Sequence, residues 1–312
     1  AEYAVHKLNE TKNPHNLSRT PGTSSSGSAT AVCTGDVPFA LASQTAGSII
    51  RPASFCGVWG MKPSFGLIAR TGVLKTNDTL DTIGFMTSNI YNLNIILENI
   101  RLKGPNYPLI YKNIDKKKIV PKKKFLIGFL ETDLCDQMEY YVKNTIENLK
   151  SKMSKNKKYA IKKVRWPKKL FGLKKVHSTI YDKSLSYYFN KDLNNNDLST
   201  TMKEIIKKGN KIKSNEYVNS LNIQSEVIRT IDKIFKGYDI IFTSSTAGSA
   251  VMRNEKELND SSLIWTLAHI PSVNIPINTC PNEMPFGIQA IGRKWTDFNL
   301  INVLENLEKD GI

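Results

Sequence analysis

The sequence is poor in the residues that most often mark an active centre. Of 312 residues, four are histidine and four cysteine. His6, His15, His177 and His269 form no HxxxH pair, and Cys33, Cys56, Cys135 and Cys280 show no CxxC or Cys/His ligand spacing. No GxSxG elbow occurs either. These absences argue against a metal site and against a Ser-His-Asp hydrolase, so no metal and no cofactor are expected. The scattered cysteines read as reduced, mostly buried thiols of a cytoplasmic protein. No apolar run approaches the roughly 18 residues of a membrane-spanning helix, and no signal-peptide pattern is present. Acidic residues are also scarce: 28 against 44 basic ones, a formal charge of +16. The surplus lies between Lys103 and Lys213, with lysine runs at 116–118 and 122–124. Such charge can attract nucleic acid. Here the lysines border segments patterned as ordinary helices and strands, amid a general abundance of Lys and Asn, so no nucleic-acid partner is expected.

Small residues and hydroxyls are concentrated in one place, Gly22 to Pro63. Two Ser/Gly turns, Gly22 to Ser28 and Thr45 to Ser48, flank a largely apolar segment. A lone cluster of this kind is usually a loop. Here Ala29–Cys33 reads as a helix capped by Ser26 or Ser28, and Val37–Ala42 as a buried strand, so the second turn is returned to the first. Ser24 and Ser48 can then face each other across a pocket lined by backbone. Small residues around Ser48 leave N–H groups free to point at a substrate oxygen, the geometry of an oxyanion hole.

These residues carry a family resemblance. GTSSSGSATAV (22–32) and QTAGSIIRPASFCGVWGMKPS (44–64) are similar to the amidase signature pattern, approximately GGSSGGSAAAV followed by DTGGSIR and PAAFCGVVGLKPT. The likeness continues through Gly72, Val73, Thr79, Leu80, Asp81 and Gly84, and again in SSLIWTLAHIPSVNIPI (261–277) and MPFGIQAIGRKWTDFNLI (284–301). It implies an amidohydrolase with a Ser-cisSer-Lys triad. Ser48 would be the nucleophile, Ser24 the relay after a cis peptide bond, and a neutral lysine the base. Thr45, Ala46, Gly47 and Ser48 would supply the oxyanion N–H groups. Independently of the family, a serine hydroxyl needs a base within reach, and a lysine serves only where burial depresses its pKa.

Two departures matter. The family's lysine lies some tens of residues before the relay serine, whereas Lys7 and Lys12 sit in polar contexts close to Ser24. The opening segment resembles the stretch just after the lysine strand. The expectation is therefore an N-terminally truncated amidase domain, 1–312, with the base absent from this chain. Second, Gln44 and Ile50 replace an Asp and an Arg, and Arg51 follows. This version resembles a malonamidase-type branch in which the arginine grips a substrate carboxylate. Arg51 is a candidate for that role, or else a structural arginine bonding carbonyls near Pro52.

Elsewhere the pattern alternates strand and helix. Apolar strands are expected at 125–130, 159–166, 238–243, 272–277 and 286–291, and amphipathic helices at 89–102, 137–153, 176–189, 214–235, 261–268 and 298–307. Residues 1–21, 194–197 and 244–260 read as loops, and 64–87 as short strands and turns. The expected fold is an α/β sandwich with a mixed sheet, which is also the fold that the resemblance implies. The implied activity is cleavage of the C–N bond of a small linear amide through a serine acyl-enzyme. The alternatives are the A subunit of a glutamyl-tRNA(Gln) amidotransferase, disfavoured by Gln44 and Ile50, and a non-catalytic relative lacking the base. Expected partners are the amide substrate and, at most, a second copy of the chain.

Overall fold

The computed structural model describes residues 10–115, 122–132, 134–257 and 260–312. Lys7 and the lysine run at 116–118 lie outside them. In chain order the elements are α1 (Ser26–Cys33), β1 (Phe39–Gln44), α2 (Ile50–Cys56), β2 (Trp59–Lys62), β3 (Thr82–Thr87), α3 (Tyr91–Ile100) and the single turn α4 (Pro108–Ile110). They continue with β4 (Phe125–Phe129), α5 (Tyr140–Ser154), β5 (Tyr159–Lys163), α6 (Lys174–Phe189), α7 (Thr200–Lys211), α8 (Ser214–Ile234) and β6 (Ile240–Ser244). The last are α9 (Leu263–Leu267), β7 (Ser272–Thr279), β8 (Pro285–Gly292) and α10 (Asp297–Lys309).

Among the described residues the strands form one eight-stranded sheet in the order β1-β3-β2-β7-β8-β6-β4-β5. Pairing is parallel for β4 with β5 and β6, and antiparallel elsewhere, so the sheet is mixed as expected. β3, β6 and β8 are buried at every position, which is what near-continuous apolar strands covered on both faces require. On one face Trp59, Met61, Phe85, Phe125, Ile127 and Ile288 pack under α3, α10 and the C-terminal part of α5. On the other, Ile241 and Ile291 pack with α6, α8 and α9. Ala29 and Val32 of α1, Ile49 just before α2 and Ala53 of α2 close that face over β1 and Met86 of β3. The result is an α/β/α sandwich.

Four sequence expectations change. The strand read as buried at 37–42 is the edge strand β1, Phe39–Gln44, with Phe39 and Leu41 exposed. α1 starts at Ser26, its N-cap residue is Ser25 with no side-chain cap, and the Ser26 hydroxyl instead bonds the Gly22 carbonyl 2.8 Å away. The expected 159–166 strand stops at Lys163, since Pro167 fixes the following turn. An unexpected helix, α7, occupies TTMKEIIKKGNK, capped by Ser199 accepting from the Met202 N–H. Lysines and an interior glycine hide its narrow apolar stripe of Met202 and Ile206.

Gly209 is what lets α7 lie against α6. A Cβ there would sit 2.0 Å from the Asp182 carbonyl oxygen and 2.7 Å from the Ser186 Cβ. Gly209→Ala is therefore expected to lower stability by about 1–3 kcal/mol, as overpacking against backbone does. Gly237→Ala, with nothing within 4 Å, should change it by under about 0.5 kcal/mol. Urea midpoints of the two variants check this; equal effects would contradict the close crossing.

Candidate active site

The two serine turns meet. β1, at the edge of the sheet, ends at Gln44, the chain turns through 45–48, and α2 runs back over β2, β7 and β8. The first turn lies alongside: the Ser25 N–H donates to the Ser48 carbonyl at 3.2 Å, and the Ser25 hydroxyl donates to the Ser43 carbonyl at 3.2 Å. Gly22 permits this approach, with φ of 88° and Pro52 Cα 2.7 Å from where a Cβ would stand. The Thr23–Ser24 peptide bond is cis. Ser24 and Ser48 both line a cleft of about 1150 Å³, and neither hydroxyl is hydrogen-bonded among the described residues.

The 45–48 turn is fastened from behind, carbonyl by carbonyl. His177 Nε2 donates to the Thr45 carbonyl at 2.8 Å, and Thr266 Oγ1 to the Ala46 carbonyl at 2.8 Å. The Arg51 N–H takes the Gly47 carbonyl at 2.9 Å, and Ser25 takes that of Ser48. The N–H groups of Ala46, Gly47 and Ser48 are left without a partner among the described residues. The next two donors, at Ile49 and Ile50, are both accepted by Gln44 Oε1 at 2.8 and 3.1 Å, while Gln44 Nε2 donates to Thr266. Asp81, the acid of the third matched motif, accepts the Thr45 hydroxyl at 2.8 Å along with the Thr76 and Asn77 N–H groups. Glycine is required at 47 by space: a Cβ would lie 2.3 Å from Asp260 Oδ2.

Arg51 is a cleft residue, but its guanidinium is engaged by the chain's own acids. Nε and Nη2 donate to Asp260, and Nη1 donates to Glu257 at 2.8 Å and to Thr23 Oγ1 at 2.9 Å. Four of its five N–H groups are thus used. No free donor pair remains for the substrate carboxylate that the resemblance suggested, and the carbonyls near Pro52 are not its partners. Burial alone would lower the Arg51 pKa, but Asp260 and Glu257 outweigh it and raise it above the ordinary value. Glu257 also accepts the Thr23 N–H and hydroxyl, so the acid pair joins the cis-peptide turn to α2. Sequence reading missed Glu257, Asp260, Thr266 and His177. Each acts across more than 130 residues, and although Thr266 lies in the matched 261–277 stretch, nothing local marks what any of the four bonds to.

Among the described residues no lysine supplies a buried base to the cleft. Lys75, Lys174 and Lys256 line it, but all three are exposed. Lys62 is fully buried, and burial lowers its pKa to about 7, with Asp297 pulling the other way. It is not on the cleft wall; its Nζ donates to the Ile270 and Pro63 carbonyls at 2.5 and 3.2 Å.

Comparison with known proteins agrees with this architecture. A family profile described as Amidase matches residues 4–301. The A subunit of glutamyl-tRNA(Gln) amidotransferase from Staphylococcus aureus strain MRSA252 is 29% identical over 96% of this chain and 69% of its own length. A crystal structure of an amidase superposes with a TM-score of 0.82 at 21% identity, covering 96% of this chain and 69% of that one. The peptide amidase from Stenotrophomonas maltophilia gives 0.75 at 22%, covering 93% and 66%. At these identities the structural likeness is one of fold.

Lys62 gives a pH prediction. Its folded pKa of about 7 lies below the ordinary 10.5, so between these values the unfolded chain holds a proton that the folded chain has released. Stability from this group is therefore gained as pH rises through that window and lost as pH falls towards 7. Relative to Lys62→Met, the wild type should gain about 1 kcal/mol per pH unit between pH 7 and 9. Parallel urea midpoints for the two proteins over that range check this; a difference that does not change with pH would show the amine to be protonated when buried.

Proposed function

The chain belongs to the amidase family, and from that premise we propose that its cleft cleaves the C–N bond of a small carboxamide through an acyl-enzyme on Ser48. The observation that carries this reading is the 45–48 turn, in which three N–H groups are unpartnered while every carbonyl is fastened on the other side. Such donors match the oxyanion that forms when a hydroxyl attacks an amide, and they stabilise charge that develops only in the transition state. In the reaction Ser48 Oγ bonds to the carbonyl carbon and its proton passes to Ser24. The Ser24 proton passes to a base, which returns one to the departing nitrogen as the C–N bond breaks. Water then attacks the ester and Ser48 regains its proton. The base in this proposal is a lysine outside the described residues. Arg51 works as a tie between turns, which favours a neutral amide over one bearing a carboxylate.

A second reading is that the amide is that of glutamine, the chain being the A subunit of a glutamyl-tRNA(Gln) amidotransferase. It is favoured by the 29% identity to such a subunit across 96% of the chain. Glutamine as substrate would need its own carboxylate met by a cation other than Arg51.

Two measurements test the proposal. A fluorophosphonate probe should leave one adduct on Ser48, located by mass spectrometry of the digested protein, and none on Ser48→Ala. Ammonia release from neutral linear amides should fall at least about 10³-fold in Ser48→Ala and in Ser24→Ala. A folded protein whose Ser48 stays unlabelled would remove the acyl-enzyme reading, and release from glutamine alone would select the second one.

A further inference from the structure

We propose that His177 is a positioning residue of the oxyanion turn, holding the Ala46 N–H on the line of a substrate carbonyl oxygen. The inference rests on the acyl-enzyme reading of Ser48 and adds a residue to it. A carbonyl oxygen can only accept, so in the 2.8 Å contact with Thr45 the proton is on His177 Nε2 and the ring is the donor. The Thr45 carbonyl and the Ala46 N–H belong to one planar peptide, so whatever fixes the oxygen also fixes the direction of the N–H. A hydrogen bond accepted at the oxygen polarises that peptide and makes its N–H a stronger donor.

The rest of the turn gives the comparison. The Gly47 N–H is set through the Ala46 carbonyl by Thr266, and the Ser48 N–H through the Gly47 carbonyl by the first turn of α2. His177 does the same for the remaining donor, from α6, an element that carries no part of the signature motif. The ring itself is fixed in place. It is buried and stacks on Tyr181 with centroids 6.2 Å apart, and Asp260 and Asp182 are the charged groups acting on it. Burial lowers its pKa despite those acids, so the imidazole is neutral at neutral pH with Nδ1 bare.

The test compares His177→Leu, which removes the donor, with His177→Gln, whose amide N–H reaches the same carbonyl. In folded proteins with similar unfolding midpoints, fluorophosphonate acylation of Ser48 should slow at least tenfold in His177→Leu and recover to within about threefold of wild type in His177→Gln. A histidine that merely fills space would leave acylation unchanged in both variants. It would also be replaced better by Leu than by Gln. Labelling of wild type with no loss in His177→Leu overturns the inference while leaving the Ser48 reading intact. If wild type itself is not labelled, the Ser48 reading fails, and ¹H–¹⁵N spectra then decide the placement. A protonated Nε2, together with an Ala46 amide signal that moves in His177→Leu and returns towards its place in His177→Gln, supports it. A bare Nε2, or an unmoved Ala46 signal, overturns it.

Discussion

Arg51 and its two acids are the interaction on which the site depends. The guanidinium lies between Glu257 and Asp260, with side-chain exposures of 18%, 15% and 5% respectively. A buried ion pair contributes little net stability, because desolvation offsets the attraction, but removing one partner strands a charge at a cost of about 3–5 kcal/mol. Here the cluster fixes relative position. Glu257 holds Thr23 on the turn that carries Ser24, Asp260 packs on Gly47 of the turn that carries Ser48, and Arg51 ties both to α2.

The same downstream segment reaches the turn twice. Asp260 Oδ1 accepts the Ser262 N–H just before α9, and Thr266 on α9 donates to the Ala46 carbonyl. Strand, turn and helix from 39 to 56 therefore place Ser48, while His177 and Thr266, 132 and 220 positions away from their partners, fix the Thr45 and Ala46 carbonyls. The signature motif alone holds only part of this turn in place. The rest falls to donors that meet its carbonyls only once the sheet has brought β1, α6 and α9 together.

This explains what could be read from the sequence. The turns carrying Ser24 and Ser48 were legible because their small residues and hydroxyls cluster at neighbouring positions in the chain. The mixed sheet was legible too, since strands such as 240–244 and 285–292 are largely apolar in sequence and buried along their whole length. His177 was not, because a buried histidine on a helix has the same local sequence whether it bonds a carbonyl or fills a gap, and its partner is 132 residues away. Lys62 is hidden inside the signature motif, where nothing local sets it apart from an exposed lysine. Its near-neutral amine follows from complete burial under the Ile270 carbonyl, a tertiary fact. α7 escaped for a different reason: Gly209 lowers helix propensity in isolation but is what the crossing with α6 requires.

The exchange of a charged pair for Gln44 and Ile50 has a coherent physical reading. Gln44 is fully buried, and its amide oxygen accepts the two N–H groups at the start of α2. A carboxylate could accept the same pair, but its charge would need a partner, and Ile50, itself in the core, offers none. A neutral amide meets the donors without that penalty, and its own N–H₂ finds Thr266. The positive charge of the helix is carried one residue later, at Arg51, which points to the cleft side and to acids on the 257–260 segment. Charge has thus moved from the base of the turn, where the family pattern has it, to the wall of the cleft. The turn is held from within by a neutral cap and from without by an ion cluster, and the two meet at adjacent residues, Ile50 and Arg51, at the start of α2.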